Sequence, residues 1–469
     1  MLIQPLSSLE SWAKLIAGGK TMALADAGTT LDAKEEAVLR RVSNRFLWFL
    51  MLALMINFID RTNIGFAALT MNKDLGLTAT TFGLAGSALS LAYLLCEIPS
   101  NLILERVGAR KWLARIMITW GIASAATMFA VGPWSLAGLR ALVGIAESGF
   151  SPGLVLFMTY WYPQYRRASA QTMFMIGQPI AGMLSAMLGG LILGLNGHWG
   201  LAGWQWLFLL EGLPAVAFGI WMYFHLADKP KDAKFLSADE KATLIALLER
   251  DEAERRRARP PEPKRSVARL VLGRNMLLLS FSYATLIATF SALTLWTPQI
   301  VRSFTAAGTT FWEIGLITAI PPLCSIAWMV YWTRRSDRRQ ERFWHCVLPM
   351  LAAAAGWAIA ALVAAPALQL LGLVIASAFG LSAWPVFFTT PSIILPREAH
   401  AAGLAFLNTI GIGGSTLSPI MVGYLRDATG GFAVPQLAIA GLLCVGVALM
   451  MLVPKGLLEP TAAPAPAIA

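Results

Sequence analysis

Long apolar runs recur along almost the whole chain, separated by short polar connections. A bilayer core about 30 Å thick is crossed by roughly 20 apolar residues of helix. Twelve stretches approach or exceed that length, over 46–71, 82–104, 112–131, 134–158, 168–193, 203–226, 275–297, 311–333, 344–364, 366–390, 400–424 and 432–453. The longest polar interruption is 227–273. It carries arginines at 255–257, prolines at 260, 261 and 263, and one helix-capable stretch of mixed charge at 237–257. Six spans precede it and six follow, the division expected of repeats packed around a shared midplane site. The pattern predicts an all-α membrane protein of twelve transmembrane helices in two six-helix bundles, 46–226 and 274–455. A linker over 227–273 joins them. Residues 1–45 read as an N-terminal extension with a short surface helix near 9–16, and 456–469 as a tail.

Composition agrees with the pattern. Of 469 residues, 57% are hydrophobic and 13% charged, against about 25% charged in soluble domains. The net charge of +11 has the sign of a nucleic-acid binder, but its placement excludes that reading. With the N-terminus inside, 32 of the 37 Lys and Arg fall on the inner side. Only Lys73, Arg302 and Arg426 fall outside, and Arg61 and Arg140 lie within spans. This is the positive-inside asymmetry, and it places both termini in the cytoplasm. The first 45 residues lack the apolar core of a cleavable signal peptide, so the first span is expected to act as its own signal. The cysteines (Cys96, Cys324, Cys346, Cys444) have no paired spacing and read as unbonded thiols within apolar spans. No phosphate-cradling glycine loop is present, so ATP is not the expected energy source.

The chemistry lies in the exceptions to apolarity. Asp60 and Arg61 stand side by side in the first span, and each charge near a bilayer centre costs on the order of 2.5–3.5 kcal/mol. Glu97, Arg140, Glu147 and Glu211 are the other ionisable groups well inside spans, and all six lie in the first half. The second half supplies neutral polar groups instead, among them Ser382, Thr389, Asn408 and Ser415. Asp60, Arg61, Arg140 and Glu147 sum to zero charge. Protonating one carboxylate leaves the set positive and ready for an anion, so proton and anion binding would favour each other. The competing interpretation is a permanent salt-bridge cluster that only holds the fold. Glu211 is expected to tether loops or helix ends. Tyr93 and Gln178 offer further polar groups. Gln178 lies 11 residues after Arg167 and Asn408 lies 11 after Arg397, about 16 Å along a helix and therefore near the midplane. Trp384, Phe387 and Phe388 form an aromatic group that packs the core or stacks on substrate. Glycine and proline within 177–190 and 411–423 suit close, moving helices.

The stretch Phe58-Ile-Asp-Arg-Thr-Asn-Ile-Gly-Phe resembles the major facilitator superfamily and, within it, the anion:cation symporter family. So do Glu97-Ile-Pro-Ser-Asn, Gly144-Ile-Ala-Glu-Ser-Gly149 and Ala202-Gly-Trp-Gln-Trp-Leu-Phe208. The likeness covers about 45–455 and is greatest to bacterial tartrate- and phthalate-type carriers. It implies an alternating-access symporter that imports a small organic anion with protons across a bacterial inner membrane. Position by position, it implies Asp60 and Glu147 for proton coupling, with Arg140 as charge partner. It assigns Arg61, Tyr93, Gln178, Phe388 and Asn408 to substrate. The expected partners are an organic anion such as tartrate, phthalate or a sugar acid, protons and membrane lipid. No nucleic acid and no cofactor beyond the coupling proton are expected, and the chain is expected to work as a monomer. The rivals are an exchanger or exporter of the same fold and a membrane sensor that binds without transport. A membrane enzyme is disfavoured, since no nucleophile–base pair or His/Cys metal cluster is visible.

Overall fold

The computed structural model describes residues 32–167, 170, 177–257, 266–396 and 399–458. The first half contains α1 (Ala33–Asp74), α2 (Ala79–Val107), α3 (Ala109–Ala126), α4 (Pro133–Glu147), α5 (Phe150–Thr159), α6 (Gly177–Leu193) and α7 (Gly203–His225). The linker holds α8 (Ala238–Arg257) and α9 (Val267–Val271). The second half contains α10 (Arg274–Phe304), α11 (Phe311–Arg339), α12 (Phe343–Leu362), α13 (Pro366–Ile394), α14 (His400–Thr429) and α15 (Ala433–Met451). Among the described residues, 11 helical stretches are long and apolar enough to cross a membrane, with α4 and α5 forming one of them. The shorter apolar α6 belongs to the predicted 168–193 span, whose start lies largely outside the described residues, as do Arg397 and the helix expected near 9–16.

Several helices run a few residues past the predicted spans, and two differences from the hydropathy pattern are larger. The first is at the start of α1, which begins at Ala33 rather than near 46 and runs 42 residues, about 63 Å. Val38, Leu39 and Val42 are buried, and the polar faces of α1 and α8 meet through ion pairs. Lys34 lies 2.7 Å from Asp239, Arg41 2.5 Å from Glu240 and Arg250 3.1 Å from Glu35. The end of the predicted extension is therefore helix, docked on the linker. The linker helix itself falls where the mixed-charge stretch predicts it.

The second difference divides the predicted 134–158 span at Ser148–Gly149. Gly149 has a left-handed φ of 82°, which costs an L-residue roughly 1–2 kcal/mol. The Ser148 carbonyl, freed from the helical ladder, accepts from Ser100 Oγ of α2 at 2.6 Å. A Cβ at position 149 would stand 2.5 Å from the same Oγ. Glu147 is thus the last residue of α4, held beside a break.

The halves meet along α2–α14, α6–α11 and α1–α10. Gly83 lets α2 approach so closely that any Cβ there would collide with the Pro419 carbonyl of α14. The Asp427 carboxylate caps α2 from the other half. It accepts from the Ala79 and Thr80 N–H groups at 2.9 and 2.7 Å, and from Thr80 Oγ1 at 2.6 Å. Ser87 Oγ donates to the Thr416 carbonyl at 2.6 Å, and Asn72 Nδ2 to Gln299 at 3.5 Å. Among the described residues, the hydrogen bonds between the halves all lie away from the end that carries the basic loops. These hydrogen bonds latch the halves at the end opposite the basic loops.

Candidate functional site

Asp60 and Arg61 are successive residues of α1, so their side chains leave the helix about 100° apart and meet different neighbours. Asp60 is buried, and Ser124 Oγ of α3 and Asn63 Nδ2 both donate to its Oδ1, the latter at 3.2 Å. Arg61 turns toward α4 and α2. Its Nε donates to Glu147 Oε1 at 2.5 Å, and its guanidinium lies 4.8 Å from the Tyr93 ring centroid. Asn57 Nδ2, one turn before Arg61, donates to the same Glu147 oxygen at 2.7 Å. The Arg61 side chain stays 36% exposed while Glu147 is 1% exposed, so one end of this ion pair is buried and the other reachable.

Arg140 is buried on the same face of α4, two turns before Glu147. Its Nε and one terminal nitrogen have no hydrogen-bond partner among the described residues, nor do Asp60 Oδ2 and Glu147 Oε2. Asp60 and Glu147 both interact with Arg140 electrostatically. Five predicted residues, Asp60, Arg61, Tyr93, Arg140 and Glu147, therefore form one first-half cluster in which the four charges balance. Glu97, one turn beyond Tyr93, interacts with Arg61 from a half-buried position. Glu211 is not at a helix end. It lies buried inside α7 and within electrostatic reach of Asp60.

The second half presents a neutral aromatic wall. Trp384 Nε1 donates to Tyr283 Oη at 2.9 Å. Phe388 meets Tyr283 and Trp384 edge-on at 5.8 and 5.9 Å. Phe290 stacks on Trp384 at 6.4 Å and touches Phe58 of the first half at 5.8 Å, which ties the wall to the helix carrying Asp60 and Arg61. Phe387 turns inward and is fully buried. Gln178 and Asn408 are half-buried, and neither makes a side-chain contact with Arg61 among the described residues. Asn57, Asn63, Ser124, Tyr283 and Phe290 are the site residues that the sequence reading passed over. Asn57 and Asn63 stand four before Arg61 and three after Asp60, spacings that share a helix face. Ser124 reaches Asp60 from another helix and left no local signal.

A family model described as the Major Facilitator Superfamily matches residues 50–419. The chain belongs to the Major Facilitator Superfamily. A relative from Agrobacterium vitis named "Putative tartrate transporter" is 40% identical over 412 residues, covering 88% of this chain and 93% of the relative. A "Quinolone resistance transporter" from Acinetobacter baumannii is 35% identical, covering 85% and 91% of the two chains. The solved structure of a bacterial homologue of the human lysosomal transporter Spinster superposes with a TM-score of 0.71 at 18% identity, covering 93% of this chain and 100% of that one. Membership makes this superfamily chain a multi-span transporter and not an enzyme, with two six-helix bundles as the sequence pattern predicted.

Proposed function

We propose that this superfamily member imports a small organic anion together with protons, across a bacterial inner membrane with its basic loops in the cytoplasm. The observation that carries the reading is the Arg61–Glu147 pair, buried at the acid and reachable at the base. Glu147 Oε1 takes the Nε side of the Arg61 fork and is held there by the Asn57 amide, which donates to the same oxygen. Protonating Glu147 removes that partner and leaves the cluster net positive, and a substrate carboxylate then takes its place on the guanidinium by charge-assisted hydrogen bonds. Proton and anion each raise the other's affinity. Asp60, held by Ser124 and Asn63 against Arg140, is the second protonatable position. Tyr93 and Gln178 would border the carboxylate from the first half. Phe388, Trp384 and Asn408 would shape the far wall, which has no charge and suits the uncharged body of a tartrate-, phthalate- or sugar-acid-like molecule.

The test is uptake into proteoliposomes of a panel of sugar acids, hydroxy-dicarboxylates and aromatic carboxylates, with and without an inward proton gradient. Accumulation of one class above equilibrium, lost when a protonophore collapses the gradient, is expected. Gradient-independent equilibration would overturn the coupling. A second reading, export, is favoured by the relative named for quinolone resistance. Vesicles of known orientation separate the two, because an exporter would load inside-out vesicles against a drug gradient.

A further inference from the structure

At the basic end of the bundle, away from the central site, α3 and α7 leave a groove of about 400 Å³ between them. Lys111 and Arg115 stand on its α3 wall at i and i+4, a spacing that puts both on one face. Apart from Thr119, whose hydroxyl donates to the Arg115 carbonyl, the remaining wall is apolar or aromatic, chiefly Ile118 from α3 and Ile220, Tyr223 and Phe224 from α7. Ile220 and Phe224 are exposed on the outer surface of the bundle, and both helices are membrane spans, so the groove opens sideways toward lipid.

The two cations lack the partner that such a position calls for. Neither Lys111 nor Arg115 takes part in an ion pair among the described residues. The Arg115 guanidinium lies 3.8 Å from the Trp112 ring centroid, and its Nε is buried without a hydrogen-bond acceptor. The nearby acid is already engaged. Asp228 accepts from the Arg110 backbone N–H at 2.8 Å and lies 3.8 Å from the Arg110 guanidinium, which in turn covers Tyr223 at 5.2 Å. A buried guanidinium N–H left unpaired is costly, and an Arg–Lys pair above an apolar slot is complementary to a phosphate that carries a chain.

We infer that this groove is a binding site for an anionic phospholipid, with the phosphate on Lys111 and Arg115 and an acyl chain along Ile118, Ile220 and Phe224. Basic pockets between membrane helices recognise such headgroups by this combination. The site is independent of the transport reading, since it shares no residue with the Arg61–Glu147 cluster.

The experiment uses the purified full chain in mixed micelles. Retained lipid is read by native mass spectrometry, and thermal unfolding is followed on titration with dioleoyl-phosphatidylglycerol, dioleoyl-phosphatidylcholine or inorganic phosphate. Phosphatidylglycerol is expected to be retained and to raise the unfolding temperature. The Lys111→Gln/Arg115→Gln double variant should weaken that binding at least tenfold. Equal retention of phosphatidylcholine, or unchanged phosphatidylglycerol binding by the double variant, would overturn the site. Stabilisation by inorganic phosphate alone to the same extent would make it a soluble-anion site and overturn the lipid assignment. Should the double variant fail to fold, Ile220→Trp fills the slot with both charges intact. It is expected to lower phosphatidylglycerol retention, and undiminished retention would overturn the inference.

Discussion

Arg61 and Glu147 share one short contact, yet their substitutions should fail in different ways. A lysine at 61 keeps the charge but loses the planar fork, and a point charge does not reproduce paired hydrogen bonds to a carboxylate. Arg61→Lys should therefore weaken anion binding about tenfold or more, roughly 1.4 kcal/mol. Binding within twofold of the parent in a titration of the purified protein would refute the clamp. Glu147→Gln holds the acid in a permanently neutral form, so binding and exchange should survive while gradient-driven accumulation is lost. Counterflow and net uptake measured on the same proteoliposomes separate these outcomes, and retained accumulation would end the coupling role. At this scale the sequence was legible where charge sits against hydropathy, as at Asp60, Arg61, Arg140 and Glu147. It was less legible for neutral donors. Ser124 is one of many serines in apolar spans, and only folding brings it to Asp60.

Among the elements, hydropathy reported which segments are apolar and was blind to backbone conformation. The run 134–158 averages apolar enough to pass for one span despite Arg140 and Glu147, so mean hydropathy does not separate α4 from α5. The divider is the left-handed φ of Gly149 and the close approach of Ser100. Gly149→Ala should cost about 2 kcal/mol, from backbone strain and the Ser100 collision together. It should also disturb Glu147, two residues before. A fall of several degrees in unfolding temperature with impaired gradient-driven uptake is expected, and an unchanged melting profile would show that the break tolerates a side chain. The opposite error occurred at α1, where charged residues from 33 to 45 hid a helix. That segment is amphipathic, with Val38, Leu39 and Val42 buried and its polar face paired with α8. Within the pairing, Glu240 is held below the usual carboxylate range by the Ser237 backbone N–H and by Arg41. A lowered value means the contact contributes at neutral pH and is lost as pH falls through the folded-state value. The Glu240–Arg41 contact should therefore persist through mild acid and be lost only below the ordinary carboxylate range. Hydrogen exchange of α8 amides against pH measures this, and loosening that begins near neutrality would refute it.

Among the described residues, the hydrogen bonds that join the two halves are gathered at the end opposite the basic loops. Under the proposed alternating-access import, that latch opens while another closes, so its strength would set the balance between the two states. Asp427 is its most directional part, since one carboxylate from α14 takes three donors at the start of α2. It is solvent-exposed, which limits what it contributes. Three charge-assisted bonds at the surface supply about 1–2 kcal/mol in sum, enough for a five- to thirtyfold change in the ratio of the two states. Gly83 and the α2–α14 packing it permits remain when the carboxylate is removed. Asp427→Ala should thus shift the equilibrium without unfolding either half. Spin labels at Lys73 and Thr429, exposed on opposite halves near the latch, report the change as growth of a longer-distance population. Asp427→Asn keeps one acceptor oxygen and should fall between the parent and the alanine variant. If both variants leave the distance distribution unchanged, the latch resides in helix packing alone, and the α2–α14 contact would be the element that any transported substrate has to work against.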